Sequence, residues 1–216
     1  METEVLADAE AVARRAAAIV AAEAREAVAA RGRFALAGED VPWDAVQLVQ
    51  VDERVAPAGD PDRNWTHLRE SLLDHAPLRP DQAHAMPVES PDLAVAAARY
   101  AQTLGEIAGQ PPVLDVVHLG LGPDGHTAFL VPGDPVLGVT DADVALTGVY
   151  QGRRRMTLTY PVLNRARRVL WVVTGSDKAA MLARLSAGDP SIPAGRVRQD
   201  HALVLTDRAA AQTTLT

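Results

Sequence analysis

The chain has 216 residues, 48% hydrophobic and 23% charged, enough to bury the core of one large domain. Its net charge of −7, with no basic tail, excludes general nucleic-acid binding but allows a locally positive pocket for an anionic metabolite. The absence of cysteine excludes disulfides, thiolate metal sites and cysteine nucleophiles, and fits a reducing, cytoplasmic setting.

In chain order, the apolar periodicity predicts a helix over residues 3–31, with Leu6, Ala9, Ala13, Ala16 and Val20 on one stripe, Val5, Val12 and Ile19 beside it, and Gly32 as its stop. Glu4, Asp8, Glu10, Arg14 and Arg15 interrupt any apolar run there, so neither a signal peptide nor a membrane span is expected. Short strands are predicted at 34–37 and 46–51, then helices over about 62–74 and 92–108. Residues 113–119 are apolar almost without a break, which predicts a strand covered on both faces. Further strands are predicted at 144–149, 156–159, 169–174 and 202–206, with a helix over 176–187. The alternation predicts a single α/β domain over residues 1–216, a Rossmann-like layered fold whose mainly parallel central sheet is flanked by helices.

The stretch LGLGPDGHTAFLVPG, residues 119–133, carries the strongest chemical signal. It places His126 on a glycine-built turn at the carboxyl end of a buried strand, where ligands bind in parallel sheets. Gly120, Gly122 and Gly125 permit a tight turn and close approach to a substrate, and His126 is the residue there suited to proton exchange near neutral pH.

Competing readings fail on context. Gly120, Gly122 and Gly125 match GxGxxG, but Pro132 and Gly133 stop any helix within two turns, and Asp141 and Asp143 precede the next strand instead of ending it. Asp60, Asp62 and Asn64 imitate a calcium loop, yet Trp65 and Ser71 stand where glycine and glutamate are required, leaving a helix-capping turn. No serine lies in a nucleophile elbow, and no histidine pair has zinc-binding spacing. His67, His75, His84 and His201 read as surface or capping residues, and His118 as a satisfied core imidazole. Lys178, in the first turn of its helix, conflicts with the helix dipole unless an anion binds nearby, and Arg153, Arg154 and Arg155 concentrate positive charge before a strand.

Four segments together resemble the 6-phosphogluconolactonase family: DERVAPAGDPDRN at 52–64, DGHTAFLVPG at 124–133, RMTLTYPVLN at 155–164 and TGSDKA at 174–179. The resemblance implies the fold shared with glucosamine-6-phosphate deaminase, ribose-5-phosphate isomerase and CoA transferases. It further implies metal-independent, cofactor-free hydrolysis of 6-phospho-D-glucono-1,5-lactone in the oxidative pentose phosphate route. By position, His126 corresponds to the general base, with Asp124 counted beside it as catalytic. Arg54, Arg155, Lys178, Gly122 and Gly125 correspond to substrate or phosphate contacts. The implied partner is a small sugar-phosphate lactone, with neither nucleic acid nor membrane, and the implied state is a monomer or weak homodimer. Two alternatives are a related sugar-phosphate isomerase or deaminase, against which Arg54 and Thr127 weigh, and a weakened paralogue that binds a sugar acid.

One family feature is missing. The Ser-Gly-Gly-Ser/Thr-x-Pro loop and the helix after it have no counterpart, because residues 34–38 run directly into residues 39–43. A crossover between neighbouring parallel strands needs about a dozen residues or more, so in this truncated first β-α unit residues 34–37 are expected either to form no strand in the usual place or to pair differently. A pocket open on that side is expected.

Overall fold

The computed structural model describes residues 1–31 and 41–212, so the strand expected at 34–37 and the helix stop at Gly32 lie outside the described residues. The chain starts with a strand, β1 (Glu2–Leu6), and only then enters helix α1 (Ala9–Arg31). This corrects the helix predicted from residue 3. Asp8 Oδ1 accepts the Ala11 N–H at 2.8 Å and so caps the helix there. The residues before it satisfy their backbone by pairing with a distant strand, a tertiary contact that overrides local propensity.

That partner is β9 (Ala202–Asp207), which lies between β1 and β8 (Arg168–Val173). Beyond β8 lies β5 (Val116–Leu119), giving a four-stranded parallel sheet in the order β1-β9-β8-β5. Successive side chains point to opposite faces, and the core divides accordingly. Val116, Leu170, Leu203 and Leu205 pack against Val12, Ile19, Val20 and Ala24 of α1. The buried face of α1 is thus centred on Val12 and Ile19, while Ala9 and Ala13 of the expected stripe are exposed. On the other face, Val117, Leu119, Val169, Trp171 and Val204 pack against helices α3 (Leu93–Ala108), α4 (Tyr160–Arg165) and α5 (Ala179–Ser186). Helices on both faces explain why these strands read as continuous apolar runs.

Two smaller sheets complete the strand inventory of the described residues. The stretch 46–51 contributes only β2 (Leu48–Val49), parallel to β4 (Ala83–His84). An antiparallel sheet has the order β3-β7-β6, from β3 (Asp52–Arg54), β7 (Arg155–Leu158) and β6 (Val144–Leu146). Helix α2 (Asn64–Leu68) widens into a π-helical turn at Arg69–Leu73, and α6 (Arg208–Ala211) follows β9. Strands β1, β3 and β4 and helices α4 and α6 were not foreseen from periodicity. A slot of about 260 Å³ separates β2 from β5, with Leu48, Val49 and Val51 on one wall and Val116, Val117 and His118 on the other. Among the described residues, no helix is long and apolar enough to cross a membrane.

Candidate active site

The glycine loop leaves the carboxyl end of β5 and folds back on itself. The Gly122 N–H donates to the His126 carbonyl at 2.8 Å, the Gly125 N–H to the Gly122 carbonyl at 3.0 Å, and Thr127 Oγ1 to the Gly120 carbonyl at 2.9 Å. Gly122 is required by the histidine: a Cβ on it would lie 2.1 Å from His126 Nδ1. Gly125 has φ +81°, and a Cβ there would lie 2.7 Å from Ile192 Cβ.

This turn presses His126 onto Asp124, with Nδ1 at 2.5 Å from Asp124 Oδ1. Burial works to raise the Asp124 carboxyl, but hydrogen bonds from the His126 backbone and ring hold it below the usual carboxylate range. An ionised carboxylate only accepts, so Nδ1 carries the shared proton and Nε2 is left as the acceptor of the ring.

The antiparallel sheet supplies the charge. Its register sets Arg54 directly opposite Arg155, two like charges side by side. Arg54 Nη1 donates to the Asp62 carbonyl at 2.5 Å and to Asn64 Oδ1 at 2.8 Å. Arg155 lies 3.6 Å above the centre of the Phe129 ring. Burial, and then the repulsion of Arg54, push the Arg155 guanidinium below its ordinary value. The Nε atoms of both arginines are buried without a hydrogen-bond partner. Two crowded cations with unused donors are the environment that an anion relieves. Next to them Asp52 is pushed up to about 6 by burial, against the opposing pull of Arg54 and a 3.0 Å hydrogen bond from Asn64 Nδ2.

Glu53, fully buried, holds this strand to the loop that follows. It accepts from the backbone N–H groups of Arg54, Asn64 and Trp65 at 2.7, 2.9 and 2.8 Å, and from Gln50 Nε2 at 3.1 Å. Arg63, also buried, spans Glu53 and Glu89. Such a carboxylate, satisfied on all sides, fixes where Arg54 and Asn64 point.

Arg54, Gly122, His126 and Lys178 line one cleft of about 380 Å³, together with Asp52, Asn64, His118 and Phe129. Asp124 stands behind His126, and Arg155 stands behind Phe129 in register with Arg54. Gly125 faces Ile192 instead of the cleft. Lys178 ends the 3-10 turn Ser176–Lys178 before α5, where Asp177 at 3.1 Å offsets its conflict with the helix dipole. His118 is not the core imidazole expected; its side chain is exposed to the cleft and the adjoining slot. The turn at Asp60, Asp62 and Asn64 does not cap α2 as expected, because Glu53 takes the first N–H groups of that helix; Asp60 and Asp62 instead hold Arg153 at 3.2 and 3.0 Å. Neither Asp52 nor Glu53 stands out in the sequence by itself, although both lie in the Asp-Glu-Arg run that opens the 52–64 segment. A larger cavity of about 880 Å³, between Arg63, Trp65, Met86 and Glu89, holds none of the other groups of the cleft. Among the described residues, no cluster of three or more His, Asp or Glu is placed to hold a metal ion.

The model of the family described as glucosamine-6-phosphate isomerases/6-phosphogluconolactonase matches residues 36–206. The chain is 34% identical over 230 aligned residues to a 6-phosphogluconolactonase of Nostoc sp., covering 96% of this chain and 95% of that protein. It is 39% identical over 185 residues to the 6-phosphogluconolactonase of Mycobacterium tuberculosis, covering 80% and 75% respectively. Among solved structures, a 6-phosphogluconolactonase from Trypanosoma cruzi superposes with a TM-score of 0.84 at 21% identity, over 100% of this chain and 97% of that one. A monomeric glucosamine-6-phosphate deaminase superposes with a TM-score of 0.83 at 19% identity, over 99% and 100%. With the family model matching residues 36–206 and a relative 34% identical almost end to end, the chain belongs to the glucosamine-6-phosphate isomerase/6-phosphogluconolactonase family.

Proposed function

We propose that the chain hydrolyses 6-phospho-D-glucono-1,5-lactone to 6-phosphogluconate, with His126 as the general base. The observation that carries this reading is the Asp124-held His126 ring in a cleft shared with Lys178 and Arg54, beside Arg155, whose Nε and that of Arg54 lack partners. Nε2 accepts a proton from water as its oxygen attacks the lactone carbonyl carbon. The tetrahedral oxyanion then re-forms the carbonyl, the ring C–O bond breaks, and the departing ring oxygen takes the proton back from the imidazolium. Asp124 steadies the imidazolium in between. The arginine pair and Lys178 supply positive charge for the phosphate and for the developing oxyanion. A strained lactone ester makes modest demands, and a placed base contributes about 10² to 10⁴-fold. The protein acts in the cytoplasm on a small molecule, as a monomer or weak homodimer, without metal or cofactor. The names of the relatives support the reaction, and the cysteine-free composition fits a reducing compartment.

His126→Ala tests it. Turnover falls by about a hundredfold or more while the melting temperature is retained. Activity within a few-fold of wild type removes His126 from the mechanism.

A further inference from the structure

We infer that Tyr150 is a positioning residue for the Asp124–His126 pair, holding the second oxygen of the carboxylate whose first oxygen holds the imidazole. This rests on the reading of His126 as the base. The Tyr150 hydroxyl donates to Asp124 Oδ2 at 3.2 Å, while His126 Nδ1 lies 2.5 Å from Oδ1. The same tyrosine ring stands edge-on to the His126 ring, with centres 6.1 Å apart, and to Phe129 at 5.6 Å. Burial and the neighbouring Asp124 push the Tyr150 phenol above its ordinary value, so it remains a donor at neutral pH.

The backbone aims this side chain. Tyr150 sits at the tip of the β6–β7 hairpin, where Gln151 and Gly152 take φ of +49° and +76°, the two left-handed positions of a tight hairpin turn. Tyr150 and Arg153 exchange backbone hydrogen bonds of 3.0 and 3.2 Å across that turn. Arg155 Nη1 donates to the Tyr150 carbonyl at 2.8 Å, and Arg153 ties the far side of the tip to Asp60 and Asp62. The hairpin therefore spans from the loop after β3 to the glycine loop, and reaches the catalytic carboxylate through the Tyr150 hydroxyl.

A donor on Oδ2 fixes the rotation of the carboxylate and draws negative charge from Oδ1. Without it, Asp124 turns more freely and attracts a protonated imidazole more strongly. The first effect lowers turnover; the second extends the protonated, inactive form to higher pH. Among the described residues, the other charged or titratable groups around His126 are Asp52 and Arg54 from β3, His118 from β5, Arg155 from β7 and Lys178 before α5. All are retained when only the hydroxyl is removed.

The experiment compares pH profiles of kcat and KM on the phosphorylated lactone for wild type, Tyr150→Phe, Asp124→Asn, the double variant and His126→Ala. Tyr150→Phe keeps the ring contacts. It is expected to lower kcat about fivefold with KM little changed, and to move the acid limb of kcat/KM up by about half a unit. In the Asp124→Asn background the same change no longer moves the acid limb, because the charge that the hydroxyl tempers is already gone. An acid limb unmoved in the wild-type background, or moved equally with and without Asp124, overturns the inference and leaves Tyr150 a packing residue. If His126→Ala is inactive while Tyr150→Phe is silent, only the role of Tyr150 falls; if His126→Ala stays active, the base assignment falls and this inference with it.

Discussion

Asp52 gives the cleft a carboxyl that releases its proton late. Burial raises it from 3.8 to about 6, so between those values the folded chain holds a proton that the unfolded chain has lost. Ionising Asp52 therefore costs stability, a cost absent below about pH 4 and complete above about pH 6. Asp52→Asn is expected to raise the melting temperature relative to wild type above about pH 6, with the gain shrinking toward pH 4. Thermal melts of both proteins across that range check this, and a gain independent of pH contradicts it. His126 was legible in the sequence because local glycines and a preceding apolar strand isolate it, and those signals are contiguous. Asp52 and Tyr150 were not, because what distinguishes them is their neighbours in space: Asn64, Arg54 and Arg155 around the first, Asp124 and Phe129 around the second.

Elements were legible where the tertiary environment agreed with the local pattern. Strands β5, β8 and β9 are sandwiched between helices, and their apolar runs say so; Asp92, whose side chain accepts the Val95 N–H at 3.0 Å, marks the start of α3. Strands β3 and β4 have three and two residues, too short to show a period, and β1 depends on pairing with β9. The short β3 is nevertheless the element that sets Arg54 against Arg155. On the function proposed above, side-chain cations rather than a glycine-loop cradle are expected to be the main hold on phosphate, since the sequence has no Ser-Gly-Gly-Ser/Thr-x-Pro segment. Backbone donors to a charged group contribute about 1.5 to 3 kcal/mol each, so lacking two weakens ground-state binding by about two orders of magnitude. A high KM for the phosphorylated lactone and small preference over the unphosphorylated one are expected, with Arg155→Ala raising KM more than it changes kcat. Steady-state kinetics on both lactones measure this. Tight, phosphate-selective turnover contradicts it.

At the scale of the whole molecule, the alternation of helix and strand was enough to read an α/β layered fold, while the split of the described strands into three sheets was not, because strand order is a property of pairing across long separations. The longest of those separations has a consequence for the nascent chain. Glu2 pairs with Leu203, so β1 leaves the ribosome about 200 residues ahead of its partner β9. Closing a loop of about 200 residues costs on the order of 5 kcal/mol in chain entropy, and nothing offsets it until β9 has emerged. Through most of synthesis the apolar face of α1, with Val12, Ile19 and Val20, lacks the Leu203 and Leu205 side chains it packs on in the finished protein. That helix is then a target for chaperones that hold exposed apolar segments. Stalled chains that end before β9 are expected to leave α1 open to limited proteolysis, and chains that extend past it to protect α1 on release. Protection of α1 in the shorter chains would show that β5 and β8 hold the helix by themselves, and that β1 waits alone.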